Sequence, residues 1–318
     1  MELSFKKLNL QDQLPPEAKF KFNVFNLLID GIIFATSILF VPLIVLIILK
    51  FTIHGNTAED TANYINLVFV PVQIICSAVG CLILYKRDNQ LFIRTNAIGI
   101  YAFIVVPFLF VIILGSLILA VAGNSNVTSQ LVSIILQTIA EIIIGVILFI
   151  KVPFLKERII LTLKNEWKKV LSVAFIMSIV LFAVSFGLSF LAKETSNQSA
   201  LEDLYNSSSV ALKVIYSILL FIFSVIVAPM VEELAFRDSI FTGVGNKWFA
   251  LIVSSLAFAM VHVSMGDVEN IYVYFIPGLI LSATFIFTEG NVTYTWLAHL
   301  GSNFITFILM IVRISGVN

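Results

Sequence analysis

Charge is what this sequence has least of. Of its 318 residues only 12% are Asp, Glu, Lys or Arg, about half the share of a soluble domain. The 19 basic and 19 acidic residues cancel to a net charge of zero. No basic stripe exists to track phosphates, which excludes nucleic acid as a partner. The two cysteines, Cys76 and Cys81, lie five residues apart in one apolar run, about 140° apart around a helix. That spacing suits neither a C-x-x-C motif nor a disulfide, so both are expected to be packing or lipid-facing thiols. Neither a G-x-S-x-G nor an H-E-x-x-H motif occurs, and there is no internal repeat. The opening segment is polar and mixed in charge, and the first apolar run is too long for a signal-peptide core. No cleavable signal peptide is therefore expected.

What is present is hydrophobicity. Apolar residues make up 59% of the chain and the mean hydropathy is +1.04. No soluble core buries that much, because a single core stops growing near ~250–300 residues. The composition dictates an all-α, polytopic transmembrane helical bundle with the lipid bilayer as its partner. A span needs about 20 apolar residues. Runs of that kind fall near 24–52, 64–85, 97–122, 131–150, 170–192, 210–240, 248–264, 271–289 and 293–314. The count is nine, or eight, because the seventh and eighth runs are short and the sixth is too long for one simple span. The expected organisation is a cytoplasmic N-terminal segment at 1–23, an N-terminal transmembrane region of five spans at 24–200, and a functional core at 205–315.

Lysine and arginine orient the chain. Lys6, Lys7, Lys19 and Lys21 precede the first run, Lys86, Arg87 and Arg94 follow the second, and six more basic residues lie between Lys151 and Lys169. The alternate connections, His54 to Asn63 and Gly123 to Gln130, contain none. A cytoplasmic N-terminus in a plasma membrane follows. The basic, amphipathic stretch 151–169 is expected to lie on the anionic membrane surface as an interfacial anchor. N-x-S/T triplets at Asn126, Asn197, Asn206 and Asn291 fall on connections.

An ionisable residue inside a membrane is expensive and marks function by default. In the first 200 residues the main case is Glu141, mid-way along the fourth run; Asp30 and Lys50 sit near the ends of the first and can snorkel. The last third concentrates such residues: Glu232, Glu233 and Arg237 on the sixth run, His262 on the seventh, His299 and Asn303 on the ninth. Only His54, in a loop, lies outside this set among the three histidines. Glu233 and Arg237 are i,i+4 and can form a buried ion pair, while Glu232 is turned about 100° away. His299 and Asn303 share one face, and Phe258 is placed to wall His262 off from lipid. Glu232 and His262 each lie about 15 residues from the turn at Gly243–Asn246, hence about 22 Å from it at one level. His299 fits less well, about 7 residues or 10 Å past the turn near Gly290. Either the eighth segment is partly re-entrant, kinked at Pro277, or the helices tilt.

A carboxylate beside an imidazole can hold and deprotonate water, which suits Glu232 with His262. His299 and Asn303 can donate to a developing oxyanion, and Glu233–Arg237 can orient the helix. These are the parts of a peptide hydrolase using activated water. The competing assignment makes Glu232, His262 and His299 ligands of a divalent metal such as zinc.

The order E-E-x-x-x-R, F-x-x-x-H, H-x-x-x-N resembles the CAAX-processing and bacteriocin-processing (CPBP, or Abi) family of intramembrane proteases. The matching stretches are Pro229–Arg237 (PMVEELAFR), Phe258–His262 (FAMVH) and Trp296–Asn303 (WLAHLGSN). The combination is specific although each motif alone is weak, and it spans roughly 205–315. The resemblance implies a membrane-associated peptide or protein substrate. Glu232 and His262 would be its water-activating pair, His299 and Asn303 its oxyanion side, and Glu233 and Arg237 its support. It also implies prenylated C-termini, leader or signalling peptides, or bacteriocin immunity as the setting, and a scarcity of cysteine with abundant Ile, Phe, Asn and Lys favours the bacterial ones. One departure is visible: many members have Gly after the motif arginine, where this chain has Asp238. A catalytically silent scaffold keeping the protease fold is the alternative; a transporter is disfavoured because no inverted repeat is present. A polar network that only fixes helix packing is the plainest alternative. Oligomeric state is not legible.

Overall fold

The computed structural model describes residues 14–123, 125–191, 209–264 and 266–315. They form nine principal helices and no strand among the described residues: α1 (Leu27–Thr52), α2 (Asp60–Arg87), α3 (Asn96–Ala122), α4 (Val127–Lys151), α5 (Leu155–Ser189), α6 (Val210–Gly243), α7 (Lys247–His262), α8 (Val268–Phe287) and α9 (Val292–Val312). Eight are long and apolar enough to cross a membrane. The exception is α7, whose 16 residues reach about 24 Å. The protein is thus a multi-pass, all-α membrane protein. The nine apolar runs correspond to these nine helices one for one.

The helix starts follow from short polar side chains in front of apolar runs. Asn26, Thr57, Ser125 and Ser209 each accept a backbone N–H of the first turn of α1, α2, α4 and α6. Asn246 accepts two, from Trp248 and Phe249, both at 3.0 Å, and so starts α7 directly after the α6 turn. Such caps satisfy donors that lipid cannot. At the helix ends Asp30 pairs with Arg87 at 2.6 Å and Lys50 with Glu269 at 3.1 Å. His54 is exposed in the α1–α2 connection, and Cys76 and Cys81 are free and half-buried.

Lipid-facing helices leave large apolar side chains uncovered: Leu28, Leu67 and Val121 are among the most exposed. The second half of α6 is the opposite. Every residue from Glu233 to Val244 is buried, so this polar stretch is enclosed by protein on all sides. Asn96 donates to the Leu234 carbonyl at 2.9 Å, and Ser239 Oγ accepts the Ile100 N–H at 3.0 Å, docking the start of α3. Phe34 of α1 lies over Gly243 where a Cβ would collide with its ring. The N-terminal segment closes the remaining side. Phe20 and Phe22 pack edge-on to one another and to Phe285, and Asn23 caps Lys247 N at 3.0 Å. Residues 14–25 thus pack into the bundle, although the sequence reads as a polar leader. Helices α1, α3, α4 and α5 all pack against the motif helix.

The segment 151–169 also differs from the expectation of a simple surface anchor. It is continuous with the fifth span in α5, across a break at Glu166 (φ −128°, ψ 18°). Trp167 and the lysines keep to its exposed face. The other face carries Arg158, Thr162, Glu166, Val170, Ala174 and Ser178, all buried at a spacing of four, which is one stripe of a helix. Arg158 Nη1 meets Asp238 Oδ2 of α6 at 2.9 Å and its Nε donates to the Ala18 carbonyl at 2.8 Å. Asn291 donates to Thr162 at 2.8 Å, Tyr294 to Glu166 at 2.9 Å, and Ser178 to the Ala298 carbonyl at 2.9 Å. With no hydrophobic force between helices in lipid, such packing and hydrogen bonding hold the bundle. The triplet at Asn291 is therefore buried and bonded rather than an exposed acceptor. Those at Asn197 and Asn206, and the side chain of Asn126, lie outside the described residues.

The Arg158–Asp238 pair, both groups under a tenth exposed, sets a stability test. Removing one partner of a buried pair costs about 3–5 kcal/mol, whereas replacing both by apolar groups is often near neutral. Arg158→Met is expected to lower the thermal unfolding temperature of the detergent-solubilised protein strongly, and Arg158→Met with Asp238→Leu to recover most of the loss. A single variant that melts like wild type would show that the pair is idle.

Candidate active site

Glu233 and Arg237 are fully buried, and their side chains meet at 3.1 Å, as i,i+4 spacing on α6 requires. The turn carrying them is π-helical from Glu233 to Ser239, a conformation frequent at functional sites. Arg237 is held by two further groups. Its Nη2 donates to the Gly278 carbonyl of α8 at 3.3 Å, and its guanidinium lies 4.7 Å from the Phe258 ring centroid, in cation–π contact. Gly278 lies where α7 crosses α8 closely: a Cβ there would stand 3.2 Å from the Ser255 backbone. The crossing is sealed by hydroxyl bonds among Ser254, Ser255 and Ser282.

His299 of α9 completes the centre. Its Nδ1 lies 3.0 Å from Glu233 Oε1, and since that carboxylate only accepts, Nδ1 is the donor. Its Nε2 then faces Glu232, 3.7 Å from Oε2. That separation is too long for a direct hydrogen bond, and a water lying to one side of the pair can contact both atoms. The two glutamates are thereby differentiated. Glu233 is sealed at 0% exposure between Arg237 and His299, while the Glu232 side chain retains 13%.

The height mismatch expected for His299 does not arise, because its helix starts inside the protein. Residues 290–295 are buried, and Gly290, at φ +81°, lies under the Phe20 ring. Seven residues beyond a sunken turn reach the level of Glu232. Helix α8 runs unbroken through Pro277 from Ile271 to Phe287.

His262 stands on the other side of Phe258. That ring is 4.5 Å from His262 and 5.8 Å from His299, centroid to centroid. His262 Nδ1 is 2.8 Å from the Phe258 carbonyl, and Tyr274 of α8 stacks on the imidazole at 4.6 Å. Phe258 therefore divides the two imidazoles as well as backing His262. Among the described residues no ion pair or hydrogen bond joins His262 to Glu232; the imidazole beside Glu232 is that of His299. Asn303 shares the face of His299, but its amide donates to the Ser224 carbonyl of α6 at 2.9 Å, away from the carboxylates. Tyr274, Gly278 and Ser224 were not singled out by the sequence. Only Gly278, next to Pro277 in an apolar run, carries any signal there.

A metal held by Glu232, His262 and His299 requires the three side chains to converge. Among the described residues no group of three or more His, Cys, Asp or Glu side chains is arranged to hold a metal ion. The Nδ1 atoms of both histidines are engaged, by Glu233 and by the Phe258 carbonyl, and Phe258 stands between the two rings, so their Nε2 atoms share no common centre with Glu232 among the described residues. This arrangement does not fit a metal.

Comparison with known proteins agrees with these motifs. The model of the type II CAAX prenyl endopeptidase Rce1-like family matches residues 214–305, which contain all six site residues. An uncharacterized protein of Mycoplasma capricolum subsp. capricolum is 31% identical over 320 residues, covering 97% of this chain and 93% of that one. The UPF0177 protein YxdF of Lactococcus lactis subsp. lactis is 38% identical over 68 residues, 21% of this chain and 35% of that one. No solved structure matches. With its three motifs on three packed helices and its Rce1-like segment, the chain belongs to the CPBP family of membrane proteases.

Proposed function

We propose that the protein is an intramembrane endopeptidase that cleaves a membrane-associated peptide with water activated by Glu232. The observation that carries this is the approach of His299 Nε2 to within 3.7 Å of Glu232 Oε2, with Glu233 and Arg237 locked behind it. A carboxylate that is buried, uncommitted to the cation and next to an imidazole is the group able to take a proton from a held water.

In the proposed reaction the water oxygen attacks the scissile carbonyl carbon as its O–H bond breaks, and Glu232 takes the proton. Protonated His299, its Nδ1–H held by Glu233, can turn a second N–H from Nε2 toward the oxyanion that forms. Collapse breaks the C–N bond, and the proton on Glu232 passes to the leaving nitrogen. Glu233 fixes His299, and Arg237 balances the charge of Glu233. Asn303 ties α9 to the Ser224 carbonyl and so keeps His299 in register. No step needs a metal, in keeping with the donor geometry.

Two bacterial relatives support bacterial leader, signalling or bacteriocin-related peptides as the substrate class over prenylated C-termini. The distribution of lysine and arginine supports an N-terminus in the cytoplasm, and the bacterial relatives support a plasma-membrane location.

Loss of the base and of an imidazole tests the chemistry. Glu232→Gln and His299→Ala are each expected to lower peptide processing by a factor on the order of 10²–10⁴ while leaving the protein folded in the membrane. Mass spectrometry of membrane peptides from the host makes the measurement. Wild-type processing by both variants would mean a silent scaffold. Chelator treatment of the purified protein is expected to leave activity unchanged, and a chelator-sensitive enzyme regained with zinc would restore the metal assignment.

The two neighbouring glutamates are also expected to part company in stability. Glu233→Ala strands Arg237 in a buried site and is expected to cost about 3–5 kcal/mol. Glu232→Ala strands no cation and is expected to melt close to wild type. Equal destabilisation in thermal unfolding would contradict this division of roles.

A further inference from the structure

Glu141 is the main intramembrane ionisable residue of the first 200 residues, and the proposed reaction does not use it. It is 1% exposed on α4. Gln137, one turn earlier, donates to its Oε1 at 3.3 Å. Its Oε2 is buried with no hydrogen-bond partner, and no ion pair reaches it among the described residues. Helix α4 lies directly on the turn that carries Glu232. A Cβ on Gly145 would stand 3.1 Å from Met230 Cε and 3.5 Å from Val231 Cγ2, and Gly145 is one turn beyond Glu141 on the same face.

A buried oxygen without a partner costs about 1–3 kcal/mol, so a partner from outside the chain is strongly favoured. The substrate of an intramembrane peptidase brings one. A helix entering such a site must open to an extended strand around the scissile bond. Its freed backbone N–H groups then find no water to bond. An unfilled acceptor beside the base is the complement of that need.

We infer that Glu141 is a substrate-binding group of the site, whose free oxygen accepts a backbone N–H of the bound peptide on the α4 side of Glu232. Gln137 holds the other oxygen and so aims it. The ligand is thus an extended peptide backbone, independent of side-chain identity. This rests on the hydrolytic reading above and adds to it a residue outside the three motifs.

The test is a kinetic cycle. The probe is a quenched-fluorescent peptide with the sequence at which the wild-type protein cuts in the membrane-peptide profile. Its companions each carry one backbone N-methyl group at successive residues flanking the scissile bond. Wild type is expected to lose about tenfold in kcat/KM at one N-methyl position, the equivalent of one buried hydrogen bond. Glu141→Leu is expected to lose a similar factor on the unmodified peptide, mainly through KM, and to be indifferent to N-methylation there. Glu141→Gln, which keeps an acceptor oxygen, is expected to retain most activity and the discrimination. A Glu141→Leu enzyme that keeps the wild-type N-methyl penalty at every position overturns the inference while leaving the hydrolytic reading intact. If Leu, Met and Gln at position 141 all fail to fold, Glu141 is a packing group and the inference is equally overturned. A wild-type protein that cuts no peptide ends both.

Discussion

The rest of this structure depends on a guanidinium that no water reaches. Arg237 is entirely buried in the bundle, where an unpaired charge costs several kcal/mol or more. Its surroundings are therefore dictated: Glu233 one turn before it, the Gly278 carbonyl of α8, and the face of Phe258 on α7. Each contact comes from a different helix, so meeting the needs of one side chain fixes the mutual positions of α6, α7 and α8. Glu233 extends the arrangement to α9 through His299. Four helices are thereby registered around one charge, and the functional groups take their places as a consequence.

The same logic explains the departure at the next residue. Asp238 puts a second buried charge beside the first, and α5 answers it with Arg158. Arg158 also takes the Ala18 carbonyl, which fastens the N-terminal segment across the end of α6. The acidic residue thus connects the motif helix to elements outside the Rce1-like segment. A glycine there would need no such counter-ion, and nothing in it would call α5 to this position. The amphipathic appearance of 151–169 is half a surface signal and half a docking signal.

Much of this was legible in the sequence, and the parts that were not share a cause. The nine apolar runs, the Glu233–Arg237 pair and the facing positions of Phe258 and His262 follow from helical periodicity within one segment. Contacts between segments do not. Residue counting from the Gly290 turn placed His299 too shallow because nothing local says that this turn is sunk under Phe20. Helical geometry matched Glu232 with His262 by height, yet height leaves azimuth open, and His299 is the imidazole that turns toward Glu232. Tyr274 gave no signal because an aromatic residue in an apolar run reads the same whether it faces lipid or stacks on a histidine.

Adjacent glutamates on one helix offer the chain two carboxylates of identical chemistry about 100° apart. Environment alone separates them. Glu233 faces the cation and the helix that bears His299, so its charge is structural and its exposure nil. Glu232 faces the remaining space, reached by His299 on one side and by α4 on the other. Neither task can be done by one residue, since a carboxylate held by a guanidinium is a poor proton acceptor and an unheld one cannot keep Arg237 buried. On the proposed reading of Glu232 as the base, the doubling of glutamate in the motif places a proton acceptor next to a buried cation, and the low charge of the chain elsewhere lets that pair be set without competition.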